Sequence, residues 1–265
     1  PITAAAVKTA IRDGALSLDD KIFDILKLGE RAPRGLDKRW REITIAHLLG
    51  HQGGFDRSVS GDPVFLLQQI ATDQRVRLNK LTLDDMIAWM LEKPLDFDPG
   101  SKDAYSNFGY NLLANAVETV SERTFEVYLD ETIAKKAKMT TLTVAKTELK
   151  ERAMDEIWYH FHPEYDAEPK VMDFRVEPSY GSGGLACSAA DLCHFLETYW
   201  ISGELKEGNY HYRFHGSMPG TTTVCAQRKD GVSYAVLCNR RGKEQGEWNE
   251  ELATKIDAAL DDLKW

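Results

Sequence analysis

An α+β protein, with a helical lobe beside an antiparallel sheet, is the fold class this sequence predicts, and three observations predict it. Helical patterning fills the first half of the chain, consecutive strand-like stretches fill the second, and an amphipathic stretch closes it. At 265 residues and 43% hydrophobic, the chain can bury a sizeable core as one large domain or two interleaved ones.

The predicted helices run from Thr3 to Asp13, ending at Gly14; from Ile43 to Leu49, followed by a His51-Gln52-Gly53-Gly54 turn; and from Thr82 to Leu91, capped by Thr82. Asn107 to Val120 follows, where Leu112, Leu113, Ala116, Val117 and Val120 recur with helical spacing and form a core-facing stripe, and then Phe125 to Lys135. Glu156 to His162 and Val171 to Val176 alternate loosely. Tyr210 to His215, Thr222 to Arg228 and Val232 to Asn239 read as consecutive strands, the last two forming a hairpin about Asp230-Gly231. The closing helix, Asn249 to Leu263, sets Leu252, Ile256, Ala259, Leu260 and Leu263 on one face. The chain carries no internal repeat and no low-complexity segment.

Charge narrows the function classes. Net charge is −9, from 42 acidic against 33 basic residues scattered in short pairs such as Asp19-Asp20 and Asp261-Asp262. A nucleic-acid surface needs clustered Lys and Arg, so no nucleic-acid partner is expected. No apolar run approaches the ~18 residues needed to span a bilayer, so no transmembrane segment is expected. Pro1-Ile2-Thr3-Ala4 opens directly into amphipathic helix, so no signal peptide is expected within these residues. Cys187, Cys193, Cys225 and Cys238 show neither metal-type nor redox-type spacing. Cys225 and Cys238 lie on the two arms of the hairpin, yet neither register places them opposite one another, and all four are read as reduced small hydrophobes. The compartment stays open: periplasmic or secreted if a signal has been removed, otherwise cytoplasmic.

Phe97 to Leu113, FDPGSKDAYSNFGYNLL, is the stretch richest in chemistry. A turn at Pro99-Gly100 leads to Tyr105-Ser106-Asn107 at a loop-to-helix junction, a place for reactive groups more than for packing. Its ordinary alternative is a helix N-cap at Ser106 or Asn107. Asp96-Phe97-Asp98 reads as a solvated turn. His160-Phe161-His162, with His211, invites a metal-site reading, but no carboxylate or cysteine falls at ligand spacing, so these are read as surface or satisfied histidines and no cofactor is expected. Trp158, Tyr159, Phe161, Tyr165 and Phe174 are expected to cover the base of the helical lobe rather than stack on a ligand.

Five segments, in order, resemble the serine hydrolases of the β-lactamase and penicillin-binding-protein type, on the class C β-lactamase and esterase branch. PITAAAVKTAIRDGALSLDD resembles the helix that follows the nucleophile, ITIAHLLGHQGG the family's helix and glycine turn, and DPGSKDAYSNFGYNLLANAVE the Tyr-x-Asn segment. GSGGLACSAADLCHFL is similar to the helix before the last strands, and HGSMPGTTT to the third active-site motif. The resemblance covers nearly the whole chain. It implies a β-lactamase/transpeptidase-like fold in one catalytic unit over residues 1–265, with a sheet subdomain of about 1–29 with 171–265 and a helical lobe of about 30–170. It further implies an acyl-enzyme mechanism on a small-molecule ester, amide or peptide.

The family's Ser-x-x-Lys, which supplies nucleophile and activating amine, sits immediately before the stretch matched by Pro1-Ile2-Thr3-Ala4. No serine among these 265 residues is followed three places on by lysine, and no Gly-x-Ser-x-Gly elbow replaces it. The chain is therefore expected to be inactive by itself, through N-terminal truncation, with a non-catalytic homologue that binds a ligand or partner as the alternative. With a front segment missing, an unpaired sheet edge makes self-association expected.

By the same resemblance, Tyr105 is the proton shuttle, and without the neighbouring lysine it is a neutral phenol. Asn107 hydrogen-bonds a substrate carbonyl. The third motif departs from Lys-Thr-Gly or His-x-Gly: Phe214 stands where the cation is expected and His215 one step later. Alternation on a strand turns His215 to the opposite face unless a bulge at Gly216 corrects it. Gly216 permits close substrate approach, and the Ser217 backbone N–H is half of an oxyanion hole. The segment from Phe195 to Phe214 is short for the family.

Overall fold

Small side chains near the start of the chain decide how closely its first helix can be approached. The computed structural model describes residues 1–153, 156–160, 175–240 and 245–263. Helix α1 (Ile2–Arg12) buries Ala4, Ala5, Ala6, Val7 and Ala10. With no bulk there, Gly203 lies so near that a Cβ on it would sit 2.6 Å from the Ala4 carbonyl carbon. Two short helices begin at reciprocal threonine caps. Before α2 (Ile45–Leu49) the Thr44 Oγ1 accepts from the His47 N–H at 3.0 Å. Before α3 (Leu83–Leu91) the Thr82 hydroxyl accepts from the Asp85 N–H while Asp85 accepts from the Thr82 N–H at 2.8 Å. Each such cap stabilises its helix by about 1 kcal/mol.

The long helix α4 (Asn107–Ser121) starts at Ser106, whose Oγ accepts from the Gly109 N–H at 3.1 Å. Leu112, Leu113, Ala116 and Val117 are fully buried and Val120 flanks them, as the helical spacing predicts. This stripe packs on α1 and α2. At its first turn Phe108 meets Trp40 and Phe55, with ring centroids 5.0 to 6.3 Å apart. Burying each such side chain contributes roughly 1.5–3 kcal/mol. The predicted helix from Phe125 to Lys135 is helical but not uniform: Phe125–Tyr128 widens into a π-helix over Leu129–Ala134 before Lys135–Ala137. There the Thr132 hydroxyl donates to the Tyr128 carbonyl at 2.6 Å, and side-chain competition of this kind is not legible in hydrophobic spacing.

A two-residue pair, β1 (Thr143–Val144) with β2 (Leu185–Ala186), precedes α5 (Ala189–Thr198). The main sheet is β3 (Tyr212–Met218), β4 (Thr221–Gln227) and β5 (Ser233–Cys238), antiparallel in the order β3-β4-β5. The consecutive strands fall close to their predicted places. Their register runs unbroken from Tyr212↔Gln227 to Met218↔Thr221, without a bulge. Phe214, Cys225 and Ala235 share the face turned to the core, where α5 packs on β5. Arg213, Ala226 and Tyr234 share the other, covered by α6 (Gln245–Asp261), and the Tyr234 hydroxyl donates to the Ala253 carbonyl at 3.3 Å. No described strand pairs along the outer edge of β5 beyond a single bridge between His160 and Arg240.

Elsewhere the expectations need correction. Of the predicted strand Glu156 to His162, the described part makes only that bridge. Phe161, His162, Tyr165 and Val171 to Phe174 lie outside the described residues, and Val176 leads into a 3₁₀ turn, not a strand. Trp158 and Tyr159 flank the sheet rather than the lobe's base: the Asn239 amide donates to the Trp158 carbonyl at 2.9 Å, and Tyr159 lies against Gly220. Cys225 pairs with Ala235 and Cys238 with Thr222, so the two are not opposite, and all four cysteines are free. Burial raises the Cys187 thiol to about 12 and the Cys225 thiol to about 11. Among the described residues no helix is long and apolar enough to cross a membrane.

Candidate functional site

The loop before α4 is held by backbone bonds to the glycine turn after α2. Gly100 donates to the Gln52 carbonyl and Ala104 to the His51 carbonyl, both at 2.9 Å. Gly100 adopts φ +83°, and a Cβ on it would sit 2.9 Å from His47 Nε2, so only glycine allows this close approach. His51 itself has φ 56°. Its ring lies between Tyr105 and Tyr110, with centroids 4.7 and 4.8 Å away, and its Nδ1 accepts from the Ser106 N–H at 3.3 Å. Burial pushes the His51 pKa down, which keeps the ring neutral and able to accept that bond.

Tyr105 and Asn107 are in direct contact: the phenol donates to Asn107 Oδ1 at 3.1 Å. Tyr105 is 45% exposed, so its ring edge is reachable from solvent. Burial first, and then the Asp62 charge, raise its pKa, leaving a neutral phenol; the Arg57 guanidinium, 5.2 Å from the ring centroid, opposes them. Asn107 is anchored from behind. Asp62 Oδ2 accepts from both the Asn107 N–H at 2.9 Å and its Nδ2 at 3.0 Å, while Oδ1 accepts from the Val64 N–H at 3.3 Å. Asp62 is buried, and burial raises its pKa against the pull of these bonds. Asp56 pairs with Lys102 at 2.5 Å. Asp96, half-buried in the bend before Pro99, is anchored as well as solvated: its Oδ2 accepts from the Asp56 N–H at 2.7 Å and the Ser60 hydroxyl at 2.8 Å, while Asp98 is exposed.

The sheet side is the edge strand β3. Phe214 lies on the core face and Gly216 shares it. His215 does not line this face. With no bulge at Gly216, alternation turns it beside Arg213 toward α6, where its Nε2 lies 3.7 Å from Glu250 Oε2 and Arg213 pairs with Glu250 and Asp257. The Ser217 side chain follows His215 to that side, its Oγ buried and unpartnered among the described residues.

Helix α4 and β3 meet over residues 179–184. Asn111, one turn beyond Asn107, accepts from the Gly181 N–H at 3.0 Å, and the Thr3 hydroxyl donates to the Gly181 carbonyl at 2.6 Å. A Cβ on Gly181 would sit 2.5 Å from the Tyr110 carbonyl oxygen, and one on Gly183 would sit 2.8 Å from the Met218 sulfur. The start of α1 enters the same region.

Of the expected residues, Tyr105 and Asn107 come together, Phe214, Gly216 and Ser217 lie on β3 and His215 turns away, while His51, Arg57 and Asp62, which contact Tyr105 or Asn107, were not expected there. Only Asp62 left a signal, as the residue before Pro63, and that signal spoke of a turn cap. Among the described residues no three His, Cys, Asp or Glu side chains gather in a metal-binding group, and His162 lies outside them.

A family model described as Beta-lactamase matches residues 1–211. A Dichelobacter nodosus protein named as a probable fimbrial assembly protein, FimD of serogroup H1, is 34% identical over 196 residues, covering 74% of this chain and 45% of its own length. The chain thus spans about half the length of these curated relatives. Among solved structures, the octameric penicillin-binding protein homologue from Pyrococcus abyssi superposes with a TM-score of 0.71 at 20% identity, covering 97% of this chain and 64% of that one. A D-stereospecific amidohydrolase from Streptomyces sp. gives 0.67 at 19% identity, covering 90% and 79%. These two likenesses establish the β-lactamase/transpeptidase-like fold.

Proposed function

This chain belongs to the β-lactamase family, and from that premise we propose that it forms the body of a serine hydrolase working through an acyl-enzyme on a small ester, amide or peptide. The observation that carries the reading is the Tyr105–Asn107 contact, set against the His51 ring at the loop-to-helix junction before α4. By the family resemblance, a Ser-x-x-Lys whose lysine immediately precedes Pro1 would supply the ammonium that Tyr105 lacks here. That cation is what a phenol needs to shuttle a proton near neutrality. In this reading Tyr105 passes the proton from the serine hydroxyl to the leaving group. Asn107 orients the substrate amide or ester, and the Ser217 N–H with the nucleophile's own N–H receives the oxyanion. Gly216 leaves the substrate room along β3. The unit is read as a sheet subdomain of about 1–29 with 171–265 and a helical lobe of about 30–170.

The test is to produce the protein with the residues that its gene encodes ahead of Pro1 and to treat it with a fluorophosphonate. A one-to-one adduct on the serine of a Ser-x-x-Lys supports the reading. A protein that carries that sequence and forms no adduct overturns it. A second reading, a non-catalytic relative that uses the cleft or the β5 edge to hold a partner, is favoured by the assembly role in the name of the Dichelobacter nodosus relative. An upstream segment without Ser-x-x-Lys would select it.

A further inference from the structure

Asn107 has two chemically different ends, and one buried group decides which end faces the site. Its Nδ2 donates to Asp62 Oδ2, so its Oδ1 is left toward the Tyr105 hydroxyl. The same Asp62 oxygen takes the Asn107 backbone N–H, which fixes the first residue of α4 as well as its side chain. Asp62 is 6% exposed, and Tyr105 and Asn107 screen it from the site. We propose that Asp62 is a positioning residue that locks the Asn107 amide with its acceptor outward, so that this site offers a carbonyl oxygen beside Tyr105. A carboxylate imposes that choice because it can only accept: it can hold the amide's NH2 but never its oxygen. The partner this arrangement suits is a hydrogen-bond donor, a substrate N–H or an ammonium, which gives amides an anchor that simple esters lack. Asp62 makes no hydrogen bond to Tyr105: its charge is felt by that phenol, but its contacts hold the Asn107 amide and backbone and the Val64 N–H. The catalytic consequence rests on the hydrolase reading; the locked amide does not.

Asp62→Ser separates positioning from capping, because a serine hydroxyl still caps the Val64 N–H but is too short to reach the Asn107 amide. In the 265-residue chain, the side-chain NH2 of Asn107 should exchange with solvent on the order of tenfold faster in Asp62→Ser than in the parent, with the global unfolding transition still cooperative. Unchanged exchange overturns the proposal. In protein carrying its nucleophile segment, Asp62→Ser should lower kcat on an amide about tenfold with KM little changed, and should change kcat by less than about twofold when Asn107 is already alanine. Equal losses in both backgrounds would mean that Asp62 merely supports the fold, and would also overturn it. If that protein turns over no substrate at all, the hydrolase reading fails while amide exchange still decides the role of Asp62.

Discussion

His215 faces Glu250 across the α6 side of the sheet, Nε2 to Oε2 at 3.7 Å, and so turns its back on the face that Phe214 occupies. If β3 is the strand that the family resemblance implies, the place of the expected cation is taken by Phe214, and a substrate carboxylate would meet a phenyl ring there.

In protein carrying a Ser-x-x-Lys, short-chain esters should outcompete penicillins and cephalosporins. A lost charge-assisted hydrogen bond is worth on the order of 1.5–3 kcal/mol, or roughly ten- to a hundredfold in specificity. Phe214→Lys should move the ratio of kcat/KM for a chromogenic cephalosporin over p-nitrophenyl butyrate upward by about that factor. A cephalosporin preference before the substitution would place the carboxylate's partner elsewhere, with Arg57 the first candidate.

The 265-residue chain alone should form no stoichiometric fluorophosphonate adduct, because none of its serines has a lysine three places on. Intact mass after labelling checks this. An adduct on any serine would mean that a nucleophile has been built from other parts.

Stability should fall in acid through Asp37. The Arg39 guanidinium, bonded at 2.6 Å, and the N–H groups of Arg39 and Leu95 hold its carboxyl at about 2, below the ordinary 3.8. Folded protein thus binds this proton less readily than unfolded chain. The stabilisation is complete above about pH 4–5 and drains away as pH falls toward 2. Allowing for solvent around Arg39, it amounts to about 1–2 kcal/mol. Urea midpoints from pH 5 down to 2.5 should decline less steeply in Asp37→Asn than in the parent, and parallel declines would refute the assignment.

The 265-residue chain should also self-associate as concentration rises. The outer edge of β5, Ser233–Cys238, has backbone groups that no described strand satisfies, and its sequence carries no charge to repel a second edge. Sedimentation velocity across a hundredfold concentration range should reveal oligomers. A compact monomer throughout would mean that this edge is covered.

Much of the scaffold was legible because it obeys local rules. The stripe from Leu112 to Val120, the Thr82 cap and the Asp230-Gly231 hairpin each follow from spacing or cap chemistry within a few residues. Phe214 and His215 were legible up to the question of the bulge, which depends on pairing with β4 and not on β3 alone. Asp62 was not legible as part of a site, because what defines it is a contact with Asn107, 45 positions away. The π-helix at Leu129 was hidden for the opposite reason: its hydrophobic spacing is close to that of an ordinary helix.

The meeting of Gly181 with Tyr110 and of Gly183 with Met218 makes residues 181–184 a gauge one carbon wide. At position 181 even alanine would strike the backbone of α4, whereas Ser182 between them is half-exposed. In a saturation library position 181 should accept nothing but glycine while Ser182 beside it accepts substitution, so intolerance and tolerance lie one residue apart. At position 181 the backbone of α4 leaves room for hydrogen alone as the side chain.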